Sequence, residues 1–378
     1  MRDVFSIQVL TNLSCNLACD YCYEKKYNRV NDADTVKRFM NYMFDKHAEK
    51  SVCELEFIGG ESFLCVDLLD ELTDYARTFG KKMFVSLTTN GTLLGKKTVR
   101  DYIEKNKDVL RVGVSIDGVQ ELHDTYRKHK NGKGSYGDIV PHIDFLFKAL
   151  GRGQVGVKAT FTKETFQKYY YRSILHLIGL GFKDISGNIM YEENVDGVFG
   201  LTVAREFMRL ADYFLESDLY KTVKLRQLNP DVDFIRQYNS RLFKMKSDER
   251  NYCGSCNEMT CIGFDGLVYG CNRFCTMGKE DMHIGKMEGD RFVPVNSQLK
   301  AEVMYQYKRR PQECQECVLN MECPACVAIP YEYGNPQEFV DSKGMCGWTH
   351  GVALARFYMC TKLFQKESAC QPRLLQTQ

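Results

Sequence analysis

The stretch Cys15-Asn16-Leu17-Ala18-Cys19-Asp20-Tyr21-Cys22 places three thiols within eight residues, in the spacing C-x3-C-x2-C. It follows the strand-like run Val4–Leu10, so we expect a loop just beyond the end of a strand. Loops in that position carry the chemistry of many α/β enzymes. Three thiolates suit a [4Fe–4S] cluster that keeps one iron open, because such clusters are normally held by four thiolates.

Zinc is the alternative for this stretch. Zinc is usually held by four ligands, often drawn from paired C-x2-C units. The three-residue gap between Cys15 and Cys19 departs from that spacing, and the next Cys or His along the chain is His47. The spacing therefore favours an iron–sulfur cluster over zinc.

The composition describes a chain of 378 residues, long enough for two to three domains. Its 51 Lys and Arg residues nearly balance its 49 Asp and Glu residues, so no overall field favours nucleic acid or a membrane surface. No apolar run approaches the roughly 18 residues of a membrane span, and no signal-peptide core follows Met1. We therefore expect a cytoplasmic protein with neither nucleic acid nor membrane as a partner.

The 17 cysteines are unevenly spread along the chain. Five precede residue 66, none lies between residues 66 and 252, and twelve follow. In a cytoplasmic protein, such clusters indicate metal ligands or catalytic groups rather than disulfides. The two cysteine-bearing regions are therefore expected to have different roles.

Strand-like and helix-like segments alternate over the first half of the chain. Six segments have strand character: Val4–Leu10, Glu54–Ile58, Met83–Thr89, Arg111–Ile116, Val155–Thr162 and Phe182–Met190. Strands alternating with helices predict parallel β/α units. The fold class is therefore α/β, and the count predicts a partial (β/α)6 barrel resembling an incomplete TIM barrel.

The remaining sequence suggests three further divisions after a barrel of residues 1–194. Residues 195–250 carry an amphipathic segment, Val203–Leu215, but no motif, and we interpret them as a helical bridge. Residues 251–360 form a small cysteine-rich domain, and residues 361–378 a tail whose end is expected to be flexible.

The turn Gly59-Gly60-Glu61 ends the second predicted strand. Its two glycines permit close approach of the backbone to a ligand, and its carboxylate can accept an ammonium group. Alone, such a turn is weak evidence, because an ordinary connection between strand and helix has the same form.

Two further polar turns end the third and fourth predicted strands. One contains Thr89 and Asn90. The other contains Ser115 and Asp117, which are two apart on a strand and so face the same side, where they suit ribose hydroxyls. Arg127 follows and could pair with a carboxylate. Three such turns at successive strand ends favour one ligand site beside the cysteine loop.

Together these features resemble the radical S-adenosylmethionine (SAM) superfamily, in which the open iron chelates SAM and one electron releases a 5′-deoxyadenosyl radical. The Ser-Ile-Asp-Gly and His-Asp-x-x-Arg segments are typical of its peptide-modifying members, although Ser62 stands where the family usually has Pro. The resemblance implies that Cys15, Cys19 and Cys22 hold the cluster. It implies SAM contacts from eight residues: Gly59, Gly60, Glu61, Thr89, Asn90, Ser115, Asp117 and Arg127.

Ten cysteines between Cys253 and Cys346 resemble the SPASM domain, which follows many radical SAM cores and holds two auxiliary [4Fe–4S] clusters, making three clusters in all. Two C-x2-C pairs could instead hold zinc, but ten thiols exceed one zinc site. Carried over by position, the resemblance assigns Cys256, Cys261, Cys271 and Cys326 to the first auxiliary cluster and Cys314, Cys317, Cys323 and Cys346 to the second. Cys253 and Cys275 are left over, either as replacement ligands or as free thiols. The family's four-cysteine run ends with a three-residue gap, whereas two residues precede Cys326 here.

The resemblance implies an enzyme that abstracts a hydrogen from a peptide or protein segment and forms a thioether or carbon–carbon crosslink or an oxidised residue. Anaerobic sulfatase maturation is the competing reaction, because length and layout match. Those enzymes have an Asp base directly after the cysteine that Cys271 matches, whereas this chain has Asn272, whose amide cannot take a proton. We therefore favour a crosslinking or peptide-oxidising maturase with an unassigned base. A zinc-stabilised binding module is the non-enzymatic alternative.

The resemblance also implies partners. A flavodoxin or ferredoxin is the expected reductant. Only fourteen residues precede Cys15, so we expect no fused leader-binding domain, and leader recognition would use another surface or a separate protein.

Overall fold

The computed structural model describes residues 3–228, 251, 253–279, 281–319, 323, 326–333 and 345–370. Most of the second half of the predicted bridge, residues 229–250, and the last part of the predicted tail, residues 371–378, lie outside these ranges.

Eleven strands of the described residues form one continuous sheet. They are β1 Val4–Asn12, β2 Val52–Gly59, β3 Lys82–Thr89, β4 Leu110–Ser115, β5 Val155–Phe161, β6 Asp184–Ile189, β7 Lys224–Leu225, β8 Met259–Ile262, β9 Leu267–Tyr269, β10 His283–Glu288 and β11 Arg291–Pro294. Their order across the sheet is β11-β10-β9-β8-β1-β2-β3-β4-β5-β6-β7. Strands β1 to β7 pair in chain order and in parallel. The six predicted strands and the partial barrel are thus confirmed, with β7 as a short addition from the predicted bridge.

Helices cover the outer face of the barrel and continue into the cysteine-rich region. They are α1 Ala33–Lys46, α2 Val66–Arg77, α3 Lys97–Lys105, α4 Gln120–Tyr126, α5 Ile143–Leu150, α6 Lys163–Gly179, α7 Gly197–Glu216, α8 Asn272–Thr276, α9 Ser297–Met304, α10 Gln312–Gln315, α11 Ile329–Tyr333 and α12 Cys346–Cys370. Helix α1 begins where the Asp32 side chain accepts a hydrogen bond from the Thr35 backbone N–H. Among the described helices, none combines the length and apolarity needed to cross a membrane.

Strand residues alternate between an apolar outer face and a polar inner face. On β2, Cys53, Leu55 and Phe57 are buried in the core against the helices, whereas Glu54 and Glu56 line space inside the barrel. The hydrophobic core therefore lies between the sheet and its helices, and the barrel interior is polar.

The cysteine-rich region extends the barrel sheet. Strand β8 pairs in parallel with the free edge of β1, and β8 to β11 then pair antiparallel. Helix α12 packs on α7, where Trp348 contacts Phe207 with ring centres 5.6 Å apart. The two helices approach so closely at Gly200 that an added Cβ would lie 2.7 Å from the Gly347 carbonyl oxygen. Helix α12 continues past the boundary predicted at residue 360, because Leu363 is buried in the same core.

Candidate functional site

The cysteine loop lies between β1 and α1, at the carboxyl end of the barrel strands. Its backbone is bonded to the segment around the end of α4: the Ala18 N–H donates to the Lys128 carbonyl at 2.7 Å, and the Asp20 N–H to the Tyr126 carbonyl at 3.0 Å. The thiols of this loop line one cleft, as predicted: Cys15, Cys19 and Cys22.

The two glycines after β2 pack against this loop. An added Cβ at Gly59 would collide with the carbonyl oxygen of Asn12, and one at Gly60 with the carbonyl oxygen of Ser14. Both glycines also line the cleft. Because glycine has no side chain, this turn can pack directly against the cysteine loop. Contact of the two glycines with SAM stays a prediction.

Glu61 lies behind the cleft rather than in its lining and is 1% exposed. Its carboxylate accepts hydrogen bonds from the Thr89 hydroxyl at 2.8 Å and from the backbone N–H groups of Asn90 at 2.7 Å and Phe63 at 3.1 Å. Burial raises the pKa of the Glu61 carboxyl, and these three donors act against that rise. The carboxylate thus fixes the second polar turn against the first, and its contact with an ammonium group stays a prediction.

Asp117 is fully buried and organises the third turn. Its carboxylate accepts hydrogen bonds from Arg127 Nε at 2.9 Å, from the Tyr21 hydroxyl and from the Thr160 N–H at 2.9 Å. Burial acts to lower the pKa of Arg127, but the Asp117 carboxylate, Tyr21 and Cys19 together outweigh it and the net shift is upward, so the guanidinium stays charged. Arg127 and Ser115 line the cleft, whereas Asp117 positions Arg127 from behind.

The cleft has a volume of about 400 Å³, a size that suits a small molecule. Six predicted SAM contacts line it: Gly59, Gly60, Thr89, Asn90, Ser115 and Arg127. Asn90 also reaches the cysteine loop, since its side-chain N–H group donates to Asn16 Oδ1 at 2.9 Å and lies 3.7 Å from Cys15 Sγ.

Other lining residues were not singled out by the sequence: Glu56, Lys158, Tyr191 and Arg273. For Glu56 a signal existed, because the alternation Glu54-Leu55-Glu56-Phe57 places a carboxylate on the inner face of a barrel strand. For Tyr191 and Arg273 no local pattern distinguishes them from other aromatic and basic residues.

The loop thiols need a cation to become thiolates. Burial raises the pKa of Cys15 and of Cys19, while Lys26 and, for Cys19, Arg127 act in the opposite direction. Coordination by iron supplies that positive charge and deprotonates the thiols. The donor set therefore fits the iron–sulfur cluster that the sequence predicts.

A second cavity, of about 360 Å³, lies in the cysteine-rich region and gathers four thiols: Cys253, Cys271, Cys323 and Cys326. Cys256 is buried close to Cys253 and beside Gly270, and burial raises its pKa to about 12. Two of the thiols assigned to the first auxiliary cluster, Cys271 and Cys326, therefore line one cavity, and their binding of a cluster stays a prediction.

A third, smaller cavity of about 30 Å³ brings together four thiols: Cys314, Cys317, Cys323 and Cys346. These are the four that the resemblance assigns to the second auxiliary cluster. The structure therefore gathers the predicted set, and the cluster itself stays a prediction.

Cys261 lies on β8, fully buried among Leu10, Leu13 and Phe264, and its thiol interacts with the thiols of Cys275 and Cys271. Like Cys256, it lines neither thiol cavity. Cys253 lines the second cavity and is therefore an alternative to Cys261 as a companion of Cys256, Cys271 and Cys326. The role of Cys261 as a ligand stays a prediction.

A thin wall separates the cleft from the second cavity, because four residues line both: Tyr23, Tyr191, Asn272 and Arg273. Arg273 is fixed by ion pairs to Glu332 and, at 2.7 Å, to Glu192. The Asn272 backbone N–H donates to Gln8 Oε1 at 2.8 Å, which ties the start of α8 to β1. One layer of side chains thus lies between the cleft and the thiols of the second cavity.

Comparison with known families matches residues 10–162 to the Radical SAM superfamily. Among curated relatives, the cysteine-type anaerobic sulfatase-maturating enzyme of Clostridium perfringens is 30% identical over 282 residues, which cover 68% of this chain and 71% of that protein.

Two solved structures share the fold. Native anSMEcpe with bound AdoMet and Kp18Cys peptide matches with a TM-score of 0.71 at 18% identity, covering 96% of this chain and 99% of that chain. Streptococcus suis SuiB bound to precursor peptide SuiA matches with a TM-score of 0.59 at 17% identity, covering 90% of this chain and 75% of that chain. The likeness extends over both the barrel and the cysteine-rich region.

Proposed function

The chain belongs to the radical SAM superfamily, and on that premise we propose that it is a peptide maturase. It abstracts a hydrogen atom from a residue of a bound peptide and forms a thioether or carbon–carbon crosslink or an oxidised residue. In support, the anSMEcpe and SuiB structures contain bound peptides. The family's [4Fe–4S] cluster and SAM supply the 5′-deoxyadenosyl radical when bound.

Different residues of the cleft bind different parts of the cofactor. Cys15, Cys19 and Cys22 hold the cluster at one wall, and the positive charge of Arg127 faces the same space, where it suits the SAM carboxylate. Two auxiliary clusters complete a set of three. The ligands of the first are Cys256, Cys271, Cys326 and either Cys261 or Cys253, and those of the second are Cys314, Cys317, Cys323 and Cys346.

The wall shared by the cleft and the second cavity is the observation that carries this proposal. Oxidation of a peptide residue removes a hydrogen atom and then one electron. An oxidising maturase therefore needs an electron acceptor beside its substrate. The thiols of the second cavity lie one side-chain layer from the cleft, where such an acceptor is needed.

Sulfatase maturation is the second candidate, favoured by the 30% identity with the Clostridium perfringens enzyme. Asn272 argues against it, since it lines the cleft with an amide that cannot act as a base. Asn272→Asp separates the two reactions. In one outcome, the wild-type protein leaves the Kp18Cys peptide unchanged while the variant converts its cysteine to formylglycine. That result would show that Asn272 prevents sulfatase maturation in this cleft. Conversion by wild type would instead support the second candidate.

The test of the proposed function is iron and sulfide analysis after anaerobic reconstitution, with a 5′-deoxyadenosine assay under dithionite. We expect about twelve irons per chain and deoxyadenosine formation, as three four-iron clusters require. Zinc without iron, and no deoxyadenosine, would overturn the proposal and support a metal-stabilised binding module. A flavodoxin or ferredoxin should replace dithionite, and a separate leader-binding protein should raise the affinity for peptide.

A further inference from the structure

A further space, distinct from the cleft and from the two thiol cavities and here called the basal cavity, lies inside the barrel below the cleft. Its volume is about 380 Å³, and residues at the amino-terminal ends of several strands line it, including Glu54, Ser86, Arg111 and Asp184. The interiors of complete TIM barrels are usually filled by branched apolar side chains. Here charged and hydroxyl side chains surround an open space.

Three residues line both the basal cavity and the cleft: Glu56, Thr88 and Lys158. The two spaces therefore meet at these side chains. A carboxylate, a hydroxyl and an amine at the junction provide polar groups that can exchange protons with water on either side.

Glu56 is the carboxylate at this junction. Its Oε2 accepts a hydrogen bond from Gln8 Nε2 at 2.7 Å, and Gln8 Oε1 accepts one from the Asn272 N–H at 2.8 Å. Burial raises the pKa of Glu56, while Gln8 and Lys158 act against that rise. The carboxyl group can therefore take a proton closer to neutrality than an exposed glutamate.

Lys158 is the amine at this junction, and its Nζ donates to the Thr88 hydroxyl at 2.7 Å. Protein atoms surround the Lys158 side chain on most sides. The cleft and the basal cavity nevertheless leave it accessible to solvent. Burial lowers the pKa of Lys158, and the charge of Glu56 acts against that fall. The shifts bring the pKa values of the acid and the amine closer together.

The proposed function releases a proton whichever crosslink or oxidation product forms. In a thioether crosslink, one C–H and one S–H bond break and one C–S bond forms. One hydrogen leaves as an atom to the deoxyadenosyl group supplied by SAM. The other leaves as a proton, and the remaining electron goes to an iron–sulfur cluster of the cysteine-rich region.

We propose that Glu56 accepts this proton in the cleft and releases it to water in the basal cavity. Lys158 stabilises the carboxylate that must be restored before the next turnover. This inference rests on the proposed function and supplies its missing base. It also accounts for a chain that has Asn272 beside Cys271 and still oxidises its substrate.

The other carboxylates that line the cleft, Glu24 and Glu192, are less suited to this role. Glu192 is engaged in the ion pair with Arg273, at 2.7 Å. Glu24 adjoins the cysteine loop and is not part of the basal lining, so a proton on it has no path through the barrel.

Charged and titratable groups face Glu56 from several strands: Glu54 on β2, Lys158 on β5, Cys261 on β8 and, around the basal cavity, Arg111, Asp184 and Arg226. Asp184 is paired with Arg226 at 2.7 Å. Among these charges, Lys158 favours the carboxylate form of Glu56 and Glu54 opposes it.

An infrared titration of the reconstituted, SAM-loaded protein tests the proposal without substrate. We expect a protonated-carboxyl band that titrates at higher pH than the band of an exposed glutamate in wild type, is missing in Glu56→Gln and is retained in Glu54→Gln, the matched control on the same strand. Lys158→Met should raise its midpoint by about one pH unit, because a nearby positive charge is removed. An unchanged band in Glu56→Gln, or a Glu56 that titrates like an exposed glutamate, would overturn the proposal.

The deoxyadenosine assay of the wild-type protein accompanies the infrared titration. Failure of wild type to form deoxyadenosine would overturn the proposed function instead, whatever the infrared result.

Discussion

The barrel and the cysteine-rich region share one sheet but are stabilised differently. In the barrel, large aromatic side chains such as Phe5, Phe39 and Phe166 are fully buried between strands and helices. In the cysteine-rich region, thiols surround two cavities, and α8, α10 and α11 span five residues or fewer. Hydrophobic burial is thus extensive in the first region, whereas we expect the second to need bonds between metal and thiolate as well.

The largest expected effect separates the two regions by function. Replacing Cys15, Cys19 and Cys22 by Ala should abolish deoxyadenosine formation yet leave about two thirds of the iron, since the remaining ligands lie in the cysteine-rich region. Iron analysis and the deoxyadenosine assay measure both. Cys53→Ala, a barrel thiol outside the loop, is the control and should retain both. Deoxyadenosine formed by the triple variant would contradict the assignment of the loop.

The converse change targets the cysteine-rich region. Cys314→Ala with Cys317→Ala should remove about one third of the iron and stop peptide turnover, while uncoupled deoxyadenosine formation continues. Amide hydrogen exchange should show lost protection around α10 and the start of α12, with β1 to β6 unchanged. Equal loss of protection in the barrel would show that the barrel also depends on metal.

A pH change should act on the barrel through His123, which is fully buried and bonded to Ser135 Oγ at 2.9 Å. Burial lowers the pKa of His123 from 6.5 to about 4. The unfolded chain therefore binds the proton first as the pH falls. Stability that is complete above pH 6.5 should be lost towards pH 4, by about 3 kcal/mol.

Hydrogen exchange of the most protected barrel amides at pH 7 and pH 5 measures this loss. His123→Asn starts less stable but should lose less between the two pH values, because no titrating ring remains. Equal losses in both proteins would assign the pH dependence to other groups.

The smallest expected effect concerns the packing of a turn. Gly60→Ala drives a methyl group into the Ser14 carbonyl, so the free energy of unfolding should fall by about 1–3 kcal/mol. Iron held by the cysteine loop should fall as well. The control is Gly179→Ala, where an added Cβ meets nothing within 4 Å. Equal effects in the two variants would show that close packing at Gly60 is not needed.

The sequence predicted those features that depend on local pattern. Alternating segments predicted β1 to β6, and the C-x3-C-x2-C spacing predicted a loop at the end of β1. In both cases, neighbouring residues along the chain determine the outcome. The four thiols around the third cavity are those that the family resemblance assigns to one cluster, and Cys346 is distant from the other three along the chain.

The sequence could not predict features that depend on contacts across strands. The two turns that contain Glu61 and Asp117 do not reveal that each carboxylate accepts hydrogen bonds from several donors behind the cleft. The spacing of Cys253, Cys256 and Cys261 does not reveal which thiol faces the second cavity. The sequence also does not reveal that β8 pairs with β1, because four residues are too few for their pattern to identify the neighbouring strand.

The pairing of β8 with β1 has a consequence for synthesis on the ribosome. Strand β1 is made first, but one of its edges is completed only by residues 259–262, long after β2 to β6 have been made. Until then a nascent barrel presents an open row of backbone N–H and C=O groups next to its apolar core. Such an edge invites pairing with another chain. The edge of the barrel is therefore closed only late in synthesis, once residues 259–262 have been made.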